Sequence, residues 1–363
     1  MVYNNFRKEF RLLLEKTIFP GNMDEGIRTQ QWKEVVSYVI SHIPQKLFRF
    51  RAFNEYSVSS FEKETITLVR PDMFADEYDS LVYVDTNGID DYIKAVLHPD
   101  SLKNFADFCR KEKQVPSLFS CIFNEEYCQS VLENILSISE TELGERIKNI
   151  QLWDVTPVQD FIKQNSALAV KVVKENPMTK IACFTEDIYA KIMWDRYADG
   201  YKGFALEYDF SNYVYSQCGQ CPEKDCPNRV VPNFFPVIYS DTRYDATAIA
   251  QYYSTLNLSI RTKSENRLPF PDTLFWIKAF LYKDKETYAY EKEWRFMCCC
   301  EGQKDKNYIG LEKFKPKAIY YGTHISPEHK KILRELAKAK QIREYEMYID
   351  NQSSSYLLNY KEI

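Results

Sequence analysis

The segment KIACFTEDIYAKIMWDRYADGYKGFALEYDF, residues 180–210, constrains the fold of this chain more than any other stretch. Its apolar start is typical of a short strand, and Thr185 followed by Glu186 and Asp187 is typical of a helix N-cap with acidic residues in the first turn. Glycines then interrupt the helical pattern before a second strand that ends near Tyr208. The segment therefore predicts a strand–helix–strand unit.

Further strands are predicted where apolar and charged or polar residues alternate. Arg49 and Arg51 alternate with phenylalanines in LFRFRAFN, residues 47–54, which is the period of a strand. A second strand is predicted at TITLVRP, residues 65–71. Together with the helical patterns elsewhere in the chain, these strands predict an α+β protein with a mixed or antiparallel sheet.

Helical spacing of apolar residues occurs near the N-terminus and again across most of residues 86–176. We expect an N-terminal helical hairpin over residues 1–45 and a single α+β domain over 46–363. The helical stretch at about 86–176 is expected to be an insertion in that domain. Residues 212–236, which are polar and contain cysteines, are expected to form a loop.

Composition excludes some classes of protein. The 363 residues are 45% apolar, which is enough for a sizeable core, and the formal net charge of −4 does not suggest a polycationic surface for nucleic-acid backbones. Only 10 residues are glycine, and no glycine-rich phosphate-binding loop is evident. No signal peptide and no apolar run of roughly 18–20 residues is present, so we expect a cytoplasmic protein without membrane contact.

Four separated pieces of the chain resemble, in order, the bacterial domain of unknown function family 2971. They are LFRFRAFN at 47–54, ACFTEDIYAKIMWDRYADGYKGFALEYD at 182–209, YEKEWRF at 290–296 and KAIYYG at 317–322. The resemblance spans about residues 46–325. The family often has an Asn-Asp-Pro-Phe-Asp-like stretch after its second strand, where this chain reads FADEYDS, so that Asp76, Glu77 and Asp79 keep only part of the pattern.

The segment YEKEWRFMCCCEG, residues 290–302, contains two carboxylates, Glu291 and Glu293, followed by Arg295. If residues 292–297 form a strand, these three side chains share one polar face while Trp294 faces the core. One interpretation is a solvated face with a weak ion pair, worth about 0–1 kcal/mol. The other is a catalytic site.

The catalytic interpretation depends on a resemblance between this Glu-X-Glu pattern and the acidic motif of arginine-type ADP-ribosyltransferases. It implies that Arg49 or Arg51 binds the phosphates and ribose of NAD, and that Thr65 or Thr67 supports the site. Glu293 would stabilise the charge that develops when the nicotinamide glycosidic bond breaks, and Glu291 would orient or deprotonate the acceptor. A guanidinium suits pyrophosphate because its fork donates two hydrogen bonds at once. A fixed carboxylate suits oxocarbenium-like charge.

Cysteines provide a candidate metal site. Cys218, Cys221 and Cys226 in CGQCPEKDCPNR have Cys-X2-Cys-X4-Cys spacing, and two thiolates on a tight turn can bind one tetrahedral zinc ion. No fourth ligand is evident nearby. Structural zinc and reduced loop cysteines both remain possible interpretations.

We therefore expect an ADP-ribosyltransferase-like enzyme that uses NAD and modifies a protein or nucleic-acid acceptor. Its class suggests a bacterial effector in anti-phage defence or a toxin system. Two alternatives stay open. One is a non-catalytic module that binds a nucleotide or a protein. The other is a nuclease with Asp and Glu as metal ligands, which would need a divalent cation.

Overall fold

The computed structural model of the protein describes residues 3–120, 123–210, 233–261, 269–299, 302 and 304–363. Its strands are β1 (Leu47–Arg51), β2 (Ile66–Val69), β3 (Thr179–Thr185), β4 (Phe204–Tyr208), β5 (Phe234–Pro236), β6 (Ile238–Ser240), β7 (Tyr282–Asp284), β8 (Glu293–Cys299), β9 (Tyr308–Leu311), β10 (Ala318–Tyr321), β11 (Arg343–Ile349) and β12 (Leu358–Glu362). Its helices are α1 (Tyr3–Lys16), α2 (Glu25–Ile40), α3 (Glu55–Glu62), α4 (Thr86–Val96), α5 (Pro99–Glu112), α6 (Ser117–Ser120), α7 (Glu125–Ser137), α8 (Glu140–Lys148), α9 (Thr156–Lys174), α10 (Lys191–Tyr197), α11 (Thr247–Arg261), α12 (Phe275–Ala279), α13 (Lys285–Tyr288) and α14 (Pro327–Lys340).

Ten strands form one mixed sheet, whose main path runs β12-β11-β10-β4-β1-β3-β2-β9. Every pairing in it is antiparallel except that of β10 with β11. The expected α+β class is confirmed, as are the N-terminal helical pair α1 and α2 and the helical insertion, which consists of α4 to α9. Strands β6 and β7 form a separate parallel pair.

The sheet forks at β3. Strand β8 pairs with β3 at all seven residues and so occupies one whole edge of it. Strands β1 and β2 share the other edge, and each pairs with β3 through a single residue, Phe48 with Thr185 and Val69 with Ile181. Between these two points the backbones separate, and the opening lies beside Cys183.

Three apolar clusters bury the two faces of the sheet and the inside of the insertion. One face packs against α1 and α2 through residues such as Phe10 and Val35. The other packs against α10, where the rings of Phe50 and Trp194 meet edge to face at 4.9 Å. The helices of the insertion enclose the third cluster. Each fully buried large apolar side chain contributes roughly 1.5–3 kcal/mol.

Local structure differs from the sequence prediction in two segments. Thr185 is the last residue of β3 and not a helix N-cap, and α10 begins six residues later at Lys191. Residues 234–236, expected in the cysteine-bearing loop, form β5 and pair with β8. In both segments pairing with β8 extends the strand, and such tertiary pairing overrides local signals.

Candidate functional site

A cavity of about 470 Å³ lies at the fork in the sheet. Strand β1 lines it from Phe48 to Arg51, and β3 lines it with Ile181 and the run from Cys183 to Thr185. The loop after β2, helix α10 and the segment from Lys283 to Glu293 complete the wall. This volume lies within the usual range for small-molecule sites, about 300–1,000 Å³.

One wall of the cavity is cationic. Arg49 and Arg51 are half-buried and lie two residues apart on β1, so both project from the same face of the strand. Arg49 donates from Nη2 to the Thr67 carbonyl oxygen at 2.7 Å. Among the described residues neither guanidinium forms an ion pair with a carboxylate. Cys183 and nearby tyrosines act on the charge of both, and the charge of Arg51 also acts on Arg49.

The electrostatics of these two arginines favour an anionic ligand. Burial, followed by the charge of Arg51, lowers the pKa of Arg49 to about 9. Burial likewise lowers the pKa of Arg51. Arg49 stays protonated at neutral pH, because even its lowered pKa lies above 7, and arginine side chains are not deprotonated in proteins at this pH. Two partly desolvated guanidinium groups without a carboxylate bind phosphate-like anions strongly.

The opposite wall holds a buried network of ionised groups. Glu293 accepts from Arg295 Nε at 2.8 Å and from Lys283 Nζ at 3.0 Å. Arg295 also binds both carboxylate oxygens of Asp79 and donates to the Phe280 carbonyl oxygen at 2.7 Å. Lys283 donates to Glu291 Oε2 at 2.6 Å. All five charged side chains are at least 91% buried.

The two glutamates differ in proton affinity because their surroundings differ. Burial alone would raise the pKa of Glu293, but Arg295 and Lys283 outweigh it and hold that pKa well below its usual range. Burial raises the pKa of Glu291, Lys283 opposes the rise, and the negative charge of Glu293 adds to it. Glu293 is therefore a permanent negative charge, while Glu291 is suited to exchange a proton.

Glu291 is positioned by backbone geometry as well as by side chains. It ends a short 3-10 turn, and Lys292 follows in the left-handed region with φ 44°, so β8 starts only at Glu293. Tyr197 donates from its hydroxyl to Glu291 Oε1 at 2.9 Å. The strand was predicted over residues 292–297 with Glu291, Glu293 and Arg295 on one face. It begins at Glu293, so Glu291 lies in the preceding turn, and Lys283 contacts both glutamates.

The interpretation of this face as solvated is also wrong. Glu291, Glu293 and Arg295 are 3%, 4% and 0% exposed. The loop after β2 covers them, with Phe74 lying 5.4 Å from the Arg295 guanidinium and Lys174 donating to the carbonyl oxygens of Asp76 and Asp79. Sequence reasoning considered the two strands separately and could not place this loop over β8.

The threonine that supports the site is not one of the two that the sequence predicted. Thr67 is buried on β2, does not line the cavity, and contributes its backbone carbonyl to Arg49. Thr65 lies before β2 and forms hydrogen bonds with Ser60. Thr185 does line the cavity, and its hydroxyl donates to the Glu291 carbonyl oxygen at 2.5 Å. Thr185 is thus the threonine that supports the carboxylates.

Two further site residues were missed by sequence reasoning. Lys283 belongs to no sequence motif. Its role as the cation shared by three carboxylates follows only from its burial between them. Tyr197 belongs to no sequence motif either, yet its hydroxyl donates to Glu291. The sequence did point to Asp79, because this residue lies in the loop where the chain keeps part of the family pattern.

The proposed zinc ligands Cys218, Cys221 and Cys226 lie outside the described residues. In the part of the chain that the structure describes, no group of three or more His, Cys, Asp or Glu side chains is arranged to hold a metal ion. Cys183 lines the cavity as a neutral thiol, because burial and then Glu293 raise its pKa well above the usual value.

Comparison with known proteins finds a match of part of the chain to one family model, and no activity. Residues 193–296 match the model of the family described as a protein of unknown function (DUF2971). The match confirms the resemblance over these residues of the predicted span 46–325, and it includes Lys283, Glu291 and Glu293 but not the arginines of β1. No curated protein and no solved structure shows a significant match to the chain. No described helix is both long and apolar enough to cross a membrane.

Proposed function

We propose that the cavity binds a phosphate-bearing nucleotide and that the chain is an ADP-ribosyltransferase-like enzyme with NAD as its substrate. The observation that carries the proposal is the pair Arg49 and Arg51, which line the cavity without a carboxylate partner among the described residues. A pyrophosphate would supply the missing negative charge and accept hydrogen bonds from both guanidinium groups.

The charge distribution of the cavity suits NAD in particular. NAD has an anionic pyrophosphate and a cationic nicotinamide ring, and the cavity has guanidinium groups on one wall and carboxylates on the other. With the pyrophosphate at Arg49 and Arg51, the nicotinamide riboside would lie towards Glu291 and Glu293. Complementary charges at both ends favour one orientation of the ligand.

In the proposed reaction the glycosidic C–N bond breaks and its electron pair leaves with nicotinamide, which departs as a neutral molecule. Positive charge then develops on the ribose C1′ and ring oxygen, where the ionised Glu293 stabilises it. A nucleophilic atom of the acceptor forms the new bond to C1′ and gives its proton to Glu291. The raised pKa of Glu291 supports this role.

The test measures NAD binding by calorimetry and nicotinamide release by chromatography. Arg51→Met should weaken NAD binding at least tenfold, because a hydrogen bond to a charged group contributes about 1.5–3 kcal/mol. Glu291→Gln and Glu293→Gln should each lower nicotinamide release about 100-fold or more. Arg70→Met is the matched control, since Arg70 pairs with Asp72 and does not line the cavity.

A second candidate is a nucleotide-binding module without catalysis. It is favoured by the saturation of Glu293, whose oxygens already accept from Arg295 and Lys283. NAD binding that depends on Arg51, with no nicotinamide release by the wild type in the presence of bacterial lysate, would support this candidate. Absence of any NAD binding by the wild type would overturn both candidates for this ligand.

A further inference from the structure

Two exposed tyrosines lie beside the arginine wall of the cavity at the fork. Tyr56 is the second residue of α3, and Tyr308 is the first residue of β9. These residues are 51% and 57% exposed, so their rings are open to a ligand. The two rings meet edge to face, with their centroids 6.3 Å apart. We call these two residues the tyrosine pair.

Strand pairing places Tyr308 next to the cavity. Tyr308 is opposite Val69 in the antiparallel pair of β9 with β2, and Val69 lines the cavity. Residues that are directly opposite each other in such a pair project from the same face of the sheet. The ring of Tyr308 therefore continues the cavity wall from Val69 towards the edge of the sheet.

Tyr56 lies close to both arginines of β1. Helix α3 begins at Glu55, just after β1 ends at Arg51. Burial is the largest influence on the pKa of Arg49 and of Arg51 and lowers both values, and Tyr56 is one of the groups that oppose this lowering. Such an electrostatic effect weakens with distance, so Tyr56 is near both guanidinium groups. The tyrosine pair thus connects the arginine wall with the rim of the cavity.

The spacing between the arginine wall and Tyr308 suits a nucleotide. Arg49 donates to the Thr67 carbonyl oxygen at 2.7 Å, and Thr67 precedes Val69 by two positions on β2. With a rise of about 3.4 Å per residue and a distance of about 4.8 Å between strands, the Cα atoms of Thr67 and Tyr308 are about 8 Å apart. In a nucleotide, one ribose separates the phosphates from the base and spans a gap of this order.

We propose that the tyrosine pair binds the base of the nucleotide whose phosphates Arg49 and Arg51 hold. This inference rests on the proposed nucleotide site and adds a second part to it. The base stacks on the ring of Tyr308, and Tyr56 supports that ring from its edge. In NAD this base is the adenine, at the end opposite to the nicotinamide. Stacking tolerates different bases because every base has a π-face, so the tyrosine pair contributes affinity for the nucleoside end of the ligand.

The test compares ADP with inorganic pyrophosphate, which has the same phosphate linkage but no base. Calorimetry on the full chain should show that the wild type binds ADP more tightly than pyrophosphate. Tyr308→Ala should weaken ADP binding about tenfold and leave pyrophosphate binding within twofold of the wild type. Tyr308→Phe keeps the ring and should bind ADP within threefold of the wild type. Tyr348→Ala is the matched control, because Tyr348 is an exposed tyrosine on β11 that does not line the cavity.

A variant in the other segment guards against misfolding of the first. Tyr56→Leu should weaken ADP binding about threefold, with unchanged pyrophosphate binding and unchanged thermal unfolding. Equal losses for ADP and pyrophosphate in Tyr308→Ala, or no loss of ADP binding in it, would overturn the base site. The arginine site would then still stand if Arg51→Met weakens the binding of both ligands. Failure of the wild type to bind ADP, NAD and pyrophosphate would overturn the base site and the proposed function together.

Discussion

At the residue scale, the most unusual feature is a cluster of buried charges with one excess carboxylate. Asp79, Glu291 and Glu293 face Lys283 and Arg295, and every one of them is buried. Such a cluster is tolerated only when its members are fully paired, because each unpaired buried charge costs several kcal/mol. The excess negative charge falls on Glu291, where burial raises the pKa.

The two glutamates should therefore show opposite pH dependence. The lowered pKa of Glu293 means that its contribution to stability is complete above its unfolded pKa of about 4.3 and is lost as the pH falls. The raised pKa of Glu291 means that its contribution is complete below about pH 4 and is lost as the pH rises through the folded value.

Urea unfolding of Glu293→Gln and Glu291→Gln at pH 7 and pH 3.5 measures this difference. The loss of stability in Glu293→Gln should be about 1 kcal/mol larger at pH 7 than at pH 3.5. The loss in Glu291→Gln should instead be smaller at pH 7. The same pH trend in both variants would contradict the charge assignment.

At the element scale, the register of β1 against β4 controls where the arginines lie. Gly203 precedes β4, and a Cβ added there would lie 2.0 Å from the Arg51 carbonyl oxygen. The clash is with backbone, so no side-chain rotation relieves it. A glycine at this position allows β1 to reach the cavity wall.

Gly203→Ala should destabilise the protein by about 1–3 kcal/mol, as overpacked sites do, and should weaken NAD binding because Arg51 shifts. Gly144→Ala is the matched control: Gly144 lies inside α8 with nothing within 4 Å of an added Cβ. It should stabilise the protein by about 0.5–1 kcal/mol through helix propensity. Thermal and urea unfolding compare the two, and equal effects would argue against the clash.

Helix α1 is attached to the strand that carries Glu293. Arg7 donates to the carbonyl oxygens of Val237 and Glu293 at 2.8 and 3.0 Å, and its guanidinium pairs with Glu186 at 2.5 Å. Arg7→Ala should lower the free energy of unfolding by about 2–3 kcal/mol, because it removes several charge-assisted hydrogen bonds. Lys8→Ala, an exposed neighbour on the same helix, should stay within about 0.5 kcal/mol. Comparable urea midpoints for the two variants would contradict this attachment.

At the scale of the whole molecule, the helical insertion has a core of its own. Ile135 of α7 is fully buried in that cluster and belongs to neither cluster on the sheet. Ile135→Ala should cost about 2–5 kcal/mol of stability, while the NAD affinity of the folded protein stays within twofold of the wild type. Urea unfolding and calorimetry measure both quantities, and a tenfold loss of affinity would show that the insertion shapes the cavity.

The sequence alone was sufficient to predict the features that depend on residues close together in the chain. Alternation in residues 47–54 identified β1 and its two arginines, and helical spacing identified α1 and α2, because local periodicity reflects which side of an element is buried. The family pattern also marked the loop that contains Asp79. The ends of the elements were predicted less accurately: α10 begins at Lys191, six residues after the predicted N-cap Thr185.

Only the tertiary structure decided what the carboxylates contact. Lys283 and Arg295 neutralise Glu293, Asp79 reaches Arg295 from a loop 216 residues away, and the arginines of β1 have no such partner among the described residues. The reason is physical: hydrogen bonds and ion pairs between distant segments depend on how the sheet forks at β3. Local sequence determined the strands and the charged residues on them, whereas packing determined which charges are neutralised by ion pairs and which have no carboxylate partner among the described residues.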